Sequence, residues 1–350
     1  MKTTKLLLQV CMVLLTATSA FAQKTEIDGI WYRLISKAGC AEVTSWTINT
    51  YQGDVVIPET VQYEGVTYQV TGIDDMAFMD SYALNSLTLP ASVTKIGNDA
   101  FSGCTALASI GIPDNVTSIG GYAFNNCRSL TSISIPVGVT YIEDWTFNGC
   151  ASLTSVTFPD GLNIIGEYAF EGCSGLTTVT IPNHVGSIRK CAFEGCWGLS
   201  SLTIPNSVVS IMERAFNGCG NLKSVTIGSG VEWIDEYAFS NCKELKDVYC
   251  YANEVPETKS NAFDYSYIEY ATLHVPESSF NQYKAQDSWS LFGTIKTFEG
   301  DIPDDPDGIY GVKSLREDKS QAVYDLQGRR VVNPQRGGLY IRDGRKYVAK

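Results

Sequence analysis

The chain has 350 residues, 44% of them hydrophobic, with a formal net charge of −12, a sequence pI near 4.7, eleven cysteines and two histidines. Such an acid surplus repels a phosphate backbone and leaves nucleic acid no electrostatic footprint, while His184 and His274 alone offer little for zinc ligation or for acid–base chemistry near neutral pH. The length exceeds what one ordinary core serves, so two domains or a repeat array is expected.

Residues 1–22 open with Lys2 and Lys5, continue as an apolar run from Leu6 to about Ala17, and end in Ala20-Phe21-Ala22 before Gln23. That order is a Sec signal peptide cleaved after Ala22. Cys11 lies inside the apolar run without the small-residue context of a lipoprotein site, so the mature chain is expected to begin at Gln23 with no lipid anchor. No later stretch approaches the roughly 18 apolar residues of a spanning helix. The expected location is extracellular, or on the outer cell surface.

After residues 23–72, a strict period of 23 residues runs through residues 73–250. Phenylalanine recurs from Phe78 to Phe239, cysteine from Cys104 to Cys242, leucine from Leu84 to Leu245 and isoleucine from Ile73 to Ile234, with no insertion or deletion. One copy, Ile119 to Val139, reads Ile-Gly-x-x-Ala-Phe-x-x-Cys-x-x-Leu-x-x-Ile-x-Ile-Pro-x-x-Val. Apolar and hydroxyl residues alternate between Leu130 and Ile135, the signature of a strand with one buried face, and Pro136 ends it. One copy cannot bury its apolar set alone. The predicted fold is therefore a mainly β solenoid of right-handed coils whose strands pair in parallel about 4.8 Å apart.

Cysteines at fixed spacing in an exported protein raise the prospect of disulfides. Here seven occupy one inward-facing column. Their parallel side-chain vectors and odd number favour free buried thiols that act as small apolar groups. Cys250 stands in for a strand isoleucine and belongs to the core, whereas Cys40 and Cys191 have no nucleophile partner near them in sequence.

These residues resemble the BspA-type leucine-rich repeats of bacterial surface proteins, over roughly residues 27–298. The Ala-Phe-x-x-Cys-x-x-Leu core with Ile-Pro-x-x-Val carries the resemblance. It implies that residues 23–72, with Asp28-Gly-Ile-Trp-Tyr-Arg33 and Gly53-Asp-Val-Val-Ile-Pro58, form an N-terminal β cap. It likewise implies that residues 251–300 close the array: Ala262-Phe263 comes one place late, and Tyr283-Lys284 and Trp289 follow. His274 then lies on a capping strand in a structural role.

Residues 301–306 form a Pro/Asp linker that lacks the ligand order of a calcium loop. Residues 307–350 carry ten Lys and Arg against five Asp and Glu, a net of +5; with the two signal-segment lysines also set aside, residues 23–306 hold −19. Asp343-Gly344 reads as a two-residue hairpin turn. Tyr324-Asp-Leu-Gln-Gly-Arg-Arg-Val331, Gly338-Leu-Tyr-Ile341 and the final lysines resemble the C-terminal sorting domain of type IX secretion, which implies contact with outer-membrane secretion machinery. The tail lacks clear counterparts of that domain's first strands, so a retained β module stays open.

Two surfaces are candidates for binding. Ser86, Ser109, Ser132, Ser155, Thr178, Ser201 and Ser224 make a flat, neutral strand face whose hydroxyl ladders suit a solubilised sheet. A second column carries Tyr122, Trp145, Tyr168 and Tyr237 beside Asp144, Glu167, Glu213 and Glu236, while Tyr141, Trp197 and Trp233 lie elsewhere on the turns. Those four aromatics either meet a ligand or stack on one another between coils.

No catalytic, cofactor-binding or metal-ligating residue is expected. The acid pair Asp74-Asp75 has no facing carboxylate across a cleft, and phosphate-loop, nucleophile-elbow, zinc and dinucleotide fingerprints are absent. The resemblance implies a non-enzymatic adhesin that contacts host extracellular-matrix proteins or other cells through the repeat surface. A glycan-binding accessory protein of polysaccharide capture and a structural surface component are the alternatives.

Overall fold

The computed structural model describes residues 24–298, together with the backbone of three strands beyond them, Val323–Tyr324, Leu339–Arg342 and Arg345–Val348. The expected signal peptide of residues 1–22, the expected linker of residues 301–306 and the rest of the tail lie outside the described residues. The chain divides into two compact units, Met1–Thr297 and Phe298–Lys350. In the second, the three strands form one antiparallel sheet, with Arg342 opposite Arg345.

The first unit is a solenoid in which each 23-residue copy makes one coil. Two parallel ladders run along it. The expected strand between Leu and Pro is present, for example as Ser132–Ser134 against Ser155–Thr157, and lengthens to four residues in Ser201–Ile204, Ser224–Ile227 and Asp247–Cys250. The isoleucine column, which the sequence reading took only as core, makes a second ladder of two-residue strands from Tyr141–Ile142 through Ile164–Ile165 to Trp233–Ile234. Each such strand buries one isoleucine and leaves its neighbour at the surface.

The third side of the coil is a chain of tight turns. Around Phe124, the carbonyls of Gly120, Tyr122, Phe124 and Cys127 accept from the N–H three residues on. The intervening N–H groups of Tyr122, Phe124 and Asn126 donate to Asp144, Thr146 and Asn148 of the next coil, at 2.7–3.1 Å. Alternate amides thus close their own coil and fasten it to its neighbour, so the buried backbone stays satisfied without a continuous strand.

Phenylalanine rings stack along the axis from Phe78 to Phe263, with centroids 5.1–5.5 Å apart and planes within 20°. Tyr51 begins this spine 4.6 Å from Phe78. Trp289 and Phe292 close it edge-on against Phe263.

All seven column cysteines are free and fully buried, as expected, yet they do more than fill space. Each thiol donates to the phenylalanine carbonyl of the coil before it, from Cys104 to Phe78 through to Cys242 to Phe216, at Sγ···O distances of 3.1–3.5 Å. The column also extends past the cysteines. Ser266 takes the next place, shifted by one residue, and its hydroxyl donates to the Phe239 carbonyl at 2.6 Å. At the other end Ser81 is buried, and its hydroxyl accepts the Tyr51 N–H.

The N-terminal end folds as the antiparallel strands Lys24–Ile27, Ile30–Ile35 and Cys40–Thr44, with Thr60–Tyr63 against Val66–Ile73. Cys40–Thr44 pairs in parallel with Val66–Ile73. There the buried carboxylate of Glu42 meets Arg33 and Lys95, and Arg33 also reaches Asp74 at 2.9 Å, so cap and first coils share charges. At the far end Thr272–Val275 and Thr294–Thr297 continue the strand ladder, and the short helices Phe280–Ala285 and Asp287–Ser290 lie between them. The Tyr283 hydroxyl donates to the Ala252 carbonyl at 2.9 Å, tying the cap to the coil beneath.

Candidate functional site

The aromatic column sits on an unusual backbone. Met76, Asp99, Tyr122, Trp145, Tyr168, Cys191, Arg214 and Tyr237 all occupy the left-handed region, with φ between 52° and 63°. For a residue with a Cβ this conformation costs roughly 1–2 kcal/mol, and for bulky side chains it is uncommon. It is imposed by the turn, since residue 122 and its equivalents must aim their N–H at the next coil. Glycine or asparagine would meet that demand cheaply, and none of the eight positions uses either.

Three of the four predicted residues come together. The Tyr122 and Trp145 rings lie 5.5 Å apart with planes 5° from parallel, and Trp145 and Tyr168 lie 4.1 Å apart at 13°. Trp145 is covered on both faces. Tyr122, at 39% exposure, is the most open of the three, and the stacking leaves mainly ring edges for the trio to offer. Tyr237 does not join them: it lies three coils beyond Tyr168, under the guanidinium of Arg214 at 5.4 Å. Between the two groups Cys191 is buried, and burial, with Glu194 beside it, pushes its thiol up to about 12, so at neutral pH it is no nucleophile.

Of the remaining turn aromatics two are partly covered by cations, while Trp197 stands singly at 64% exposure. Arg189 lies 5.4 Å over the Tyr141 ring and donates to its hydroxyl at 2.7 Å, and Lys259 sits 4.7 Å over Trp233. The stacked trio is therefore the longest exposed aromatic surface on the regular coils.

The hydroxyl strand face is as flat as expected through Ser109, Ser132 and Ser155, but it changes character at the C-terminal end. Asp247 and Tyr249 take the outward places in one strand, and Thr272 and His274 in the next. The His274 ring stacks on Tyr249 at 4.3 Å, and its Nε2 is 3.0 Å from Asp247 Oδ1. Beside them a cleft of about 560 Å³ opens between Lys243–Asp247 and the loop carrying Tyr267 and Tyr270. Tyr267 also borders a second cleft of about 290 Å³ with Tyr265 and Leu291. The sequence reading passed over these tyrosines because the period fails where they lie; the signal it held was three tyrosines within six residues, Tyr265 to Tyr270.

Among the described residues no three His, Cys, Asp or Glu side chains converge as metal donors, and no helix is long and apolar enough to cross a membrane.

A family model described as a BspA type Leucine rich repeat region, in six copies, matches residues 71–196 and 163–288. The chain is similar to a leucine-rich repeat protein from Bacteroides ovatus ATCC 8483, with 26% identity, 78% of this chain and 76% of that one covered, and a TM-score of 0.58. It is also similar to the leucine rich repeat protein of T. pallidum, at 28% identity, 64% and 91% coverage and a TM-score of 0.46. A leucine rich cell surface protein from Faecalibacterium prausnitzii A2-165 matches at 25% identity, 79% and 95% coverage and a TM-score of 0.38. No curated protein matches the sequence.

Proposed function

The chain belongs to the BspA-type leucine-rich repeat family, and from that membership we propose that it is an exported, non-catalytic protein of the cell surface that binds a protein partner along the turn edge of its coils. The partner class is a host matrix protein or a protein of another cell. The observation that carries this reading is the stacked trio Tyr122, Trp145 and Tyr168, kept at strained backbone positions and presented by a rigid array. Large, rigid aromatic edges at little entropic cost are what protein interfaces use as anchors. The flanking carboxylates of Asp144 and Glu167 give that edge a negative rim, which suits a partner with a basic patch. In the same reading residues 1–22 direct export and residues 307–350 engage the outer-membrane secretion machinery, in keeping with the hairpin register at Arg342 and Arg345.

The test is binding of the mature chain to immobilised fibronectin and fibrinogen, beside the triple variant Y122A/W145A/Y168A. Saturable binding that falls at least about tenfold in the variant, with cooperative melting retained, is the expected result. Equal affinity of the two proteins would remove the trio as the site, and silence on both would remove these matrix proteins as partners and leave a protein of another cell as the class to test.

A further inference from the structure

The stacked trio offers edges, whereas the C-terminal cap offers open ring faces. Tyr265, Tyr267 and Tyr270 are 69%, 51% and 84% exposed, and among the described residues no ring stacks on Tyr267 or Tyr270. Tyr265 and Tyr267 are again held left-handed, at φ 61° and 51°, so two successive strained positions in this loop carry aromatic side chains. The period slips a second time in this loop: Glu257 already pairs with Trp233 at a spacing of 24, and Thr272 pairs with Asp247 at 25. An array that is strict through eight copies departs from its rule where it forms this cleft.

The chemistry of that cleft is specific. Tyr267 and Tyr270 supply aromatic faces, Lys243 and Lys246 supply ammonium donors, and Glu244 and Asp247 supply carboxylate acceptors. Asp247 is anchored through its Oδ1 by His274 and by its place in the strand ladder, so one acceptor is held in position before any ligand arrives. The two positive and two negative charges cancel, and the chain as a whole is acidic, so a polyanion gains nothing from the site. A pyranose ring matches it: an apolar C–H face lies on an aromatic ring while its hydroxyls exchange hydrogen bonds with charged groups at the rim. The volume, about 560 Å³, is within the range of small-ligand sites.

We propose that the cleft between Lys243–Asp247 and Tyr267–Thr272 binds neutral pyranose polysaccharides, with Tyr270 and Tyr267 as the stacking platform. This site is separate from the turn edge and independent of the protein-binding reading, so the molecule has two recognition surfaces of different chemistry.

Native electrophoresis of the mature full-length chain through gels containing laminarin, mannan or xylan, with heparin as a polyanion control, tests it. The wild-type chain is expected to be retarded by at least one neutral polysaccharide, with competition by the same free oligosaccharide. Y270A is expected to weaken retardation about tenfold, while Y270F, which keeps the ring face, retains it. W145A, on the turn edge, leaves retardation unchanged. Tyr270 is so exposed that its variants fold, and a melting curve checks this. Free mobility in every neutral gel, retardation by heparin alone, retardation that survives Y267A/Y270A, or a Y270F as weak as Y270A would each overturn the proposal.

Discussion

Two columns of the same coil repeat with the same period and obey different rules. The thiol column faces inward and holds cysteine seven times, with a serine at either end; the seven thiols and Ser266 each donate to a buried phenylalanine carbonyl, while the buried Ser81 hydroxyl accepts the Tyr51 N–H. The turn column faces outward at every place but the buried Cys191, and holds Met, Asp, Tyr, Trp, Tyr, Cys, Arg and Tyr, although every place imposes the same left-handed backbone. Burial fixes the first column's chemistry. In the second the backbone demand is uniform while the side chains are free to vary, so the sequence there reports what the surface meets.

The sharpest way to break this contrast is alkaline pH. Cys104, Cys150 and Cys242 are pushed up to about 12 by burial, and Cys127, Cys173, Cys196 and Cys219 are raised well above the ordinary 9.0. Above that ordinary value the unfolded chain loses thiol protons that the folded chain keeps. Stability is therefore intact below about pH 9 and falls as pH rises toward the folded values, by up to about 1.4 kcal/mol per thiol per pH unit. The urea midpoint, followed from neutral pH upward, is expected to be level and then to drop steeply; a level midpoint across the whole range would mean that the thiols are not buried donors.

A single-site version separates donation from packing. Cys173→Ala removes the second donor to the Phe147 carbonyl, which keeps the Cys150 N–H, a loss of about 0.5–1.5 kcal/mol, whereas Cys173→Ser keeps a donor of the kind Ser266 already supplies. Serine is expected to be the milder change by about 1 kcal/mol in denaturant unfolding. Equal losses would reduce the column to space filling.

The smallest effect belongs to the turn column. Trp145→Ala and Trp145→Gly both remove the ring from the stack, but only glycine also relieves the left-handed strain. Glycine should be the more stable by about 1 kcal/mol, the reverse of the usual order of these residues in regular structure. Differential melting of the pair decides it, and the usual order would show that the turn relaxes when the ring is gone.

Much of the solenoid was legible from spacing alone, because a column such as Phe78 to Phe239 fixes which residues share a neighbour. The strand near Ser132–Ser134 was announced by alternation and by Pro136. The second ladder was not, since two residues such as Tyr141–Ile142 are too short to show a period. The left-handed places of the Tyr122 column were hidden because no Gly or Asn marks them, unlike the second left-handed column at Gly103, Asn126 and Gly149, and Ser266 was hidden by the one-residue slip that precedes it. The trio's stacking was one of two readings that the sequence held open, and the coordinates bring those rings together. The cap cleft was invisible for another reason: its walls come from segments some twenty residues apart that meet only once the coil has closed.

The unbroken spine of rings, from Tyr51 to Phe263, makes the length of the array a counted quantity. An insertion smaller than a whole coil has to be looped out if rings, thiols and ladders are to stay in line, as the single extra residue before Glu257 is. An unequal exchange between two copies of the repeat, by contrast, adds or removes 23 residues and rejoins every column to its continuation. Evolution can therefore change the distance between the two ends of this protein in steps, at the cost of one recombination event, without redesigning either cap.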